Sequence, residues 1–313
     1  MKISVVIPVY NGARTISKLV EDLLGILKAY QTEIILVNDG SKDKSHDLCL
    51  SIYERHKANV KYICLARNFG EHNAVMAGLN QVTGDYAVTI DDDFQNPPEE
   101  IPKLLDKAVS EGLDVVYSYY EKKRHSFMRN AGSSFNNAIA NLLLDKPKDL
   151  YLSSFRCMSR FIAEEVVKYK GPYPYVDGLI LRSTGNIGKV LVRHASRAAG
   201  RSGYTFHKLV RLWINMFINF SIFPLRASTL LGFLFLIIGV LSSISMIIEK
   251  IINPAIPMGI TTILVAILLF GGIQLLILGL IGEYLGKLFL MDNRTPQYVV
   301  RRLFSNDKDI PRA

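Results

Sequence analysis

The chain has 313 residues, 49% of them hydrophobic, a mean hydropathy of +0.20 and a formal net charge of +9. That is long for a single core and calls for one large domain with something added. Neither GxGxxG nor GxxxxGK followed by Ser or Thr occurs, which argues against a dinucleotide-binding fold or a P-loop. The stretch MKISVVIPVYN at the start has a short apolar run, contains Pro8 and leads to no small-residue cleavage site. It is expected to be a buried strand, ISVVIPV (3–9), rather than a signal peptide.

A helical pattern, TISKLVEDLLGILKAY (15–30), follows that strand. EIILVND (33–39) precedes SKDKSHDLCLSIYERHK, VKYICLA (60–66) precedes EHNAVMAGLNQV, and YAVTID (86–91) precedes PPEEIPKLLDKAVSEG, after which comes LDVVYSYY (113–120). Near-continuous apolar strands alternating with helices imply a mostly parallel α/β sheet covered on both faces. Ligands of such sheets bind at strand carboxyl ends. YNG, NDGS and DDDFQ all fall there. Cys49, Cys64 and Cys157 show no CxxC or metal spacing and read as buried small hydrophobes in a reducing compartment.

Asp91, Asp92 and Asp93 crowd like charge where a strand should stop. In an extended chain alternate residues share a face, so Asp91 and Asp93 are expected to point the same way, with Gln95 near them. Two carboxylates and an amide oxygen suit Mg²⁺ or Mn²⁺, which would also relieve the repulsion. Taken alone, the same residues also read as a solvated acidic turn before a helix.

Beyond residue 204 the pattern changes. TFHKLVRLWINMFINF (205–220) keeps apolar residues at i, i+3, i+4 spacing with a basic opposite face, as an interfacial helix does. SFMRNAGSSFNNAIANLLL (126–144) is a weaker amphipathic case. Ala227–Ile248 and Gly259–Gly282 carry no charge. Each is just over 20 residues long, enough at ~1.5 Å per residue to cross the roughly 30 Å bilayer core. Pro254 and Pro257 lie in the link between them. Basic residues flank the two runs and scarcely enter the link, so both ends are expected on the cytoplasmic side of an inner membrane. No nucleic-acid motif appears; anionic lipid headgroups or a lipid-linked phosphate account better for the charge.

SVVIPVYNG, ILVNDGSKDKS, LARNFGEHNAVMAGLNQVTGDY and IDDDFQNPPEEIPKLL resemble the family-2 glycosyltransferases of GT-A fold, in their polyprenyl-phosphate branch. IGEYLGKLF and PQYVVRR extend the resemblance over nearly the whole chain. It implies a GT-A catalytic domain over 1–204, an amphipathic juxtamembrane helix over 205–224, two transmembrane helices over 225–290 and a cytoplasmic tail over 291–313. It further implies that Pro8, Tyr10, Asp39 and Asp91 hold the nucleotide of a sugar donor, UDP by default. Asp91, Asp93 and Gln95 would hold the metal. Arg129, Ser133, Arg197, Ser202 and Tyr204 would meet the acceptor phosphate, and Asp93, Arg129 and Arg197 would carry catalysis. His194 belongs to the same implied loop. The chain departs from the family pattern at Gly12, Tyr120 and Gly203, the last in place of a lysine, and Arg201 is expected to supply the missing charge.

The expected reaction is inverting transfer of a sugar to polyprenyl phosphate by a membrane-bound homo-oligomer. A phosphate monoester, with a second pKa of about 6, needs no base to attack. Two rivals are open: transfer to a lipid-linked sugar hydroxyl, with Asp177 as base, and a scaffold without catalysis. A transporter is disfavoured because the two runs hold no ionisable group.

Overall fold

The computed structural model describes residues 1–120, 150–193, 195, 223–253, 259–293 and 295–306. The expected amphipathic segments 126–144 and 205–220 lie outside them, as do Arg129, Ser133, His194, Arg197, Arg201, Ser202, Gly203 and Tyr204. Two compact units emerge, Met1–Tyr204 with Arg294–Ala313, and Thr205–Asn293.

The first unit is built on β1 (Lys2–Val9), β2 (Gln31–Asn38), β3 (Val60–Leu65) and β4 (Tyr86–Thr89), joined by α1 (Ile16–Ile26), α2 (Ser45–Arg55) and α3 (Glu71–Leu79). A short 3₁₀ turn at Pro98–Glu100 leads into α4 (Ile101–Ser110), then come β5 (Val115–Tyr119), β6 (Arg156–Ser159), α5 (Arg160–Val166), α6 (Val176–Ser183) and β7 (Ile187–Leu191). The alternation of strand side chains makes two layers around the sheet. Ile3, Val5, Ile7 and Val9 of β1 share one core with Leu19 and Leu23 of α1, Ile52 of α2 and Leu104 of α4. The other face takes α3, which approaches Val6 and Val37 closely. In α1 the buried residues Ile16, Leu19, Val20 and Leu23 keep the helical spacing that makes one apolar stripe.

The sheet has eight strands in the order β7-β5-β6-β4-β1-β2-β3-β8, with β8 at Val300–Phe304. Strands β4, β1, β2 and β3 run parallel, as the apolar runs imply, and β5 pairs β7 in parallel. β6 enters antiparallel between β4 and β5.

Two expectations are corrected. The segment after residue 291 is not simply a tail, because β8 returns antiparallel to β3 and closes that edge of the sheet. Asp91 and Asp93 are not alternate residues of a strand either. The β4 ladder ends at Thr89, opposite Val6 of β1 and Arg156 at the start of β6, and Ile90 N–H still donates to Val6 O. The chain then turns, and Phe94 takes a left-handed φ of 59°.

The second unit contains two long helices, α7 (Phe223–Ile252) of 30 residues and α8 (Ile260–Asp292) of 33. Among the described residues one helical stretch, Phe270–Asp292, is long and apolar enough to cross a membrane; Ser228–Ser242 is a shorter apolar stretch.

Candidate active site

The carboxyl ends of β1, β2 and β4 and the start of α3 enclose a cavity of about 860 Å³. Its lining includes Pro8, Tyr10, Asp39, Asp91 and Asp93, so five of the residues expected from sequence do come together.

One wall is the turn after β1. Tyr10 is 47% exposed, leaving its ring open to a planar partner. Asn11 adopts a left-handed φ of 56°, which asparagine tolerates. Its N–H donates to Ser41 Oγ (3.0 Å) and its Oδ1 accepts from Lys42 N–H (2.9 Å), locking this turn to the one after β2. Asp39 is not a helix cap. Its two oxygens accept from the N–H groups of Phe69 (2.7 Å) and Gly70 (2.9 Å), and burial nonetheless holds its carboxyl above the usual range. Asp43 instead accepts from Ser45 N–H (3.0 Å), at the start of α2, and from Ala13 N–H (3.2 Å).

The floor is the acidic turn. Ser154 Oγ donates to Asp91 Oδ2 (2.6 Å), and Gln95 N–H donates to Asp93 Oδ1 (3.0 Å). Asp92 Oδ2 is buried with no hydrogen-bond partner among the described residues. It lies against Gly12, where an added Cβ would stand 1.9 Å from it. Burial, then the charges of Asp91 and Asp93, push the Asp92 carboxyl up to about 7. Glu71, at the start of α3, is likewise pushed up to about 7 by the protein packed round it and then by Asp91. This concentration of hard, mutually repelling oxygens fits a divalent cation. Among the described residues no three His, Cys, Asp or Glu side chains form a cage by themselves.

Gln95, expected as a third ligand, is not among the residues lining the cavity. Its carbonyl accepts from Ala195 N–H (2.9 Å). Two residues earlier, Arg193 Nε donates to Glu100 Oε1 (2.6 Å). The chain leaving β7 is therefore fastened beside the acidic turn. Tyr120 braces the same turn through its hydroxyl, which donates to Asn96 Oδ1 (2.6 Å).

Asp177 is committed elsewhere. It is 8% exposed, pairs with the buried Arg156 and accepts from Tyr117 Oη (2.9 Å). A carboxylate neutralising a buried guanidinium is poorly placed to act as a base.

Sequence reasoning missed Glu71 and the contact between Gly12 and Asp92. An acidic residue opening the helix that follows the loop after β3 was the available signal for Glu71. The Gly12 contact joins residues 80 apart, and no local pattern carries it.

Residues 4–167 match the family model described as glycosyl transferase family 2. An undecaprenyl-phosphate 4-deoxy-4-formamido-L-arabinose transferase of Photorhabdus laumondii is 32% identical over 311 residues, 98% of this chain and 95% of the relative. One of Serratia proteamaculans is 33% identical over 306 residues, 96% of this chain and 94% of the relative. Among solved structures, glucosyl-3-phosphoglycerate synthase from Mycobacterium tuberculosis, in complex with Mn²⁺, uridine diphosphate and glucosyl-3-phosphoglycerate, is similar with a TM-score of 0.52. It is 19% identical and the match covers 69% of this chain and 77% of that one; the likeness is one of fold.

Proposed function

Because the chain belongs to glycosyl transferase family 2, we propose that it moves a sugar from a nucleotide diphosphate donor, a UDP-sugar by preference, to a polyprenyl phosphate such as undecaprenyl phosphate, with inversion. The observation that carries this reading is the acidic turn at the floor of the cavity, Asp91–Asp93, set beside the exposed ring of Tyr10. The names and full-length coverage of the relatives support the acceptor class.

In this reading Pro8, Tyr10 and Asp39 border the nucleotide, and Asp91 and Asp93 hold Mg²⁺ or Mn²⁺. The cation would supply charge neutralisation for the leaving diphosphate. Asp39 keeps the β3–α3 loop at the cavity wall through Phe69 and Gly70. Gln95 acts through its carbonyl, holding Ala195 and with it the start of the segment that carries Arg197, Arg201, Ser202 and Tyr204. With Arg129 and Ser133, that segment is proposed to grip the acceptor phosphate through charge-assisted hydrogen bonds. An ionised phosphate oxygen attacks the anomeric carbon as the donor diphosphate leaves. No proton has to be removed, which agrees with Asp177 being tied to Arg156 and Tyr117. α7 and α8 are proposed as two membrane spans with both termini on the cytoplasmic side, in keeping with the basic flanks and the apolar stretch Phe270–Asp292. The proposal includes a homo-oligomer.

The test is a panel of nucleotide sugars offered with undecaprenyl phosphate to the detergent-solubilised protein, with and without EDTA, read by the mass of the lipid product. One donor should give a product heavier by one sugar, and EDTA should abolish it. Donor hydrolysis with no lipid product from any donor would sink the acceptor assignment.

A second reading, transfer to a hydroxyl, is favoured only by Glu71, a carboxyl near 7 in the cavity that could serve as base. Glu71→Gln separates the two. A hydroxyl acceptor would lose about 100- to 10,000-fold in rate with it. With a phosphate acceptor the change should stay under about tenfold on the same scale.

A further inference from the structure

A second cleft, of about 420 Å³, opens beside the first on the far side of the loops that follow β2 and β3. Its lining includes Arg67, Arg301, Arg302 and His46, and no Asp or Glu among the described residues. We propose that this cleft is a second anion site, separate from the donor cavity, that binds a phosphate group through the guanidinium groups of Arg67, Arg301 and Arg302.

The separation follows from the way the loops alternate. Asp39 and Asn68 line the donor cavity, whereas Asn38, Gly40 and Arg67 line the second cleft. The wall between is a single thickness of backbone. At Gly40, with φ of 63°, an added Cβ would lie 2.5 Å from the carbonyl carbon of Arg67 and the nitrogen of Asn68, so the two loops already touch. The two cavities have opposite electrostatic character: carboxylates crowd the first and guanidinium groups the second.

The arginines are held ready rather than neutralised. Arg301 Nη2 donates to Ala66 O (3.3 Å), and the Arg67 guanidinium lies 4.9 Å from the Phe69 ring centre. Among the described residues none of the three pairs with a carboxylate. Three like charges converging on one concavity repel each other, and an anion removes that cost. The planar fork of arginine matches phosphate oxygens in pairs. His46 stands at the same cleft with its Nδ1 2.7 Å from Tyr62 Oη, which fixes the ring and leaves Nε2 as the remaining polar atom. Two of the arginines come from β8, the strand whose return to the sheet the sequence did not announce. The cleft therefore exists only because the chain after residue 294 folds back onto β3.

The phosphate could belong to a lipid headgroup or be free in solution; the chemistry is shared, and the experiment separates the sources. Inorganic phosphate and dihexanoyl phosphatidate are each titrated into the full chain in detergent by calorimetry, with EDTA present so that no cation draws phosphate into the acidic cavity. Saturable binding is expected. Arg67→Ala with Arg302→Ala should weaken it at least about tenfold, the worth of one charge-assisted contact, and Arg302→Lys, which keeps the charge and loses the fork, should fall between the double variant and the unchanged protein. Tighter binding of the phosphatidate assigns the site to headgroups, and equal binding assigns it to free phosphate. No saturable binding of either probe would overturn the proposal. So would a double variant, folded by circular dichroism, that binds both probes as the unchanged protein does.

Discussion

Three groups of buried charge sit on the same sheet, and the fold treats two of them in one way and the third in the opposite way. Under β5 and β6, Arg156 and Asp177 neutralise each other and Tyr117 completes the set. Between β1 and β2, Glu33 takes hydrogen bonds from Ser4 (2.9 Å) and Thr83 (2.6 Å) and an ion pair from Lys61, and its carboxyl stays below the usual range although burial alone would raise it. At the end of β4 the reverse holds. Three aspartates stand together, one oxygen of Asp92 has no partner among the described residues, and two carboxyls are driven up to about 7. Charge balanced by an opposite charge marks structure; concentrated charge of one sign marks a place built for a ligand.

The largest effect is expected at Asp177. If its charge is structural, Asp177→Asn should destabilise the protein by about 3–5 kcal/mol, because Arg156 is left buried without a counter-charge. Denaturant unfolding measures this. Lost turnover at unchanged stability would instead make it a catalytic base. The converse is expected at Asp93. Asp93→Asn should lower turnover about 100- to 1,000-fold while shifting stability by less than about 1 kcal/mol. Turnover near that of the unchanged protein in limiting Mn²⁺ would remove Asp93 from the metal site.

Asp92 sharpens the contrast with a gain. Its folded pKa of about 7 lies above the ordinary value of 3.8, so the folded state binds the extra proton between those two values. Stability from this group therefore falls as pH rises across that window and stays low above it. In EDTA at pH 8, Asp92→Asn should be more stable than the unchanged protein by about 1–3 kcal/mol, with the gain gone below about pH 4. Mn²⁺ should stabilise the unchanged protein more at pH 8 than at pH 5. A variant no more stable than its parent at pH 8 would contradict the strained reading of this turn.

The smallest effect is a coupling. Gly12→Ala places a methyl group where the Asp92 carboxylate lies and should cost about 1–3 kcal/mol through overpacking. Adding Asp92→Ala should return at least about 1 kcal/mol, a non-additivity expected of groups in contact. Strictly additive unfolding energies would show that the two side chains do not share that space.

The layers and the place of the site were legible in the order of the residues. Continuous apolar runs in β1, β2 and β3 require cover on both faces, the helical spacing in α1 puts its stripe on the sheet, and turn residues after each strand put YNG, NDGS and DDDFQ at one edge. Those are local signals, read from periods of two and 3.6 residues. The rest came from contacts between distant parts of the chain. The antiparallel entry of β6, the return of β8 to β3, the pairing of Asp177 with Arg156 and the pressing of Asp92 against Gly12 each join residues distant in the chain. β6 (RCMS) and β8 (VRRLF) carry charged residues where β1, β2 and β3 have continuous apolar runs, so nothing local distinguishes them from a loop until a neighbouring strand offers hydrogen bonds. Whether a carboxylate is a base, an anchor or a strained ligand depends on which charge stands within a few ångströms of it, and that distance is set by packing.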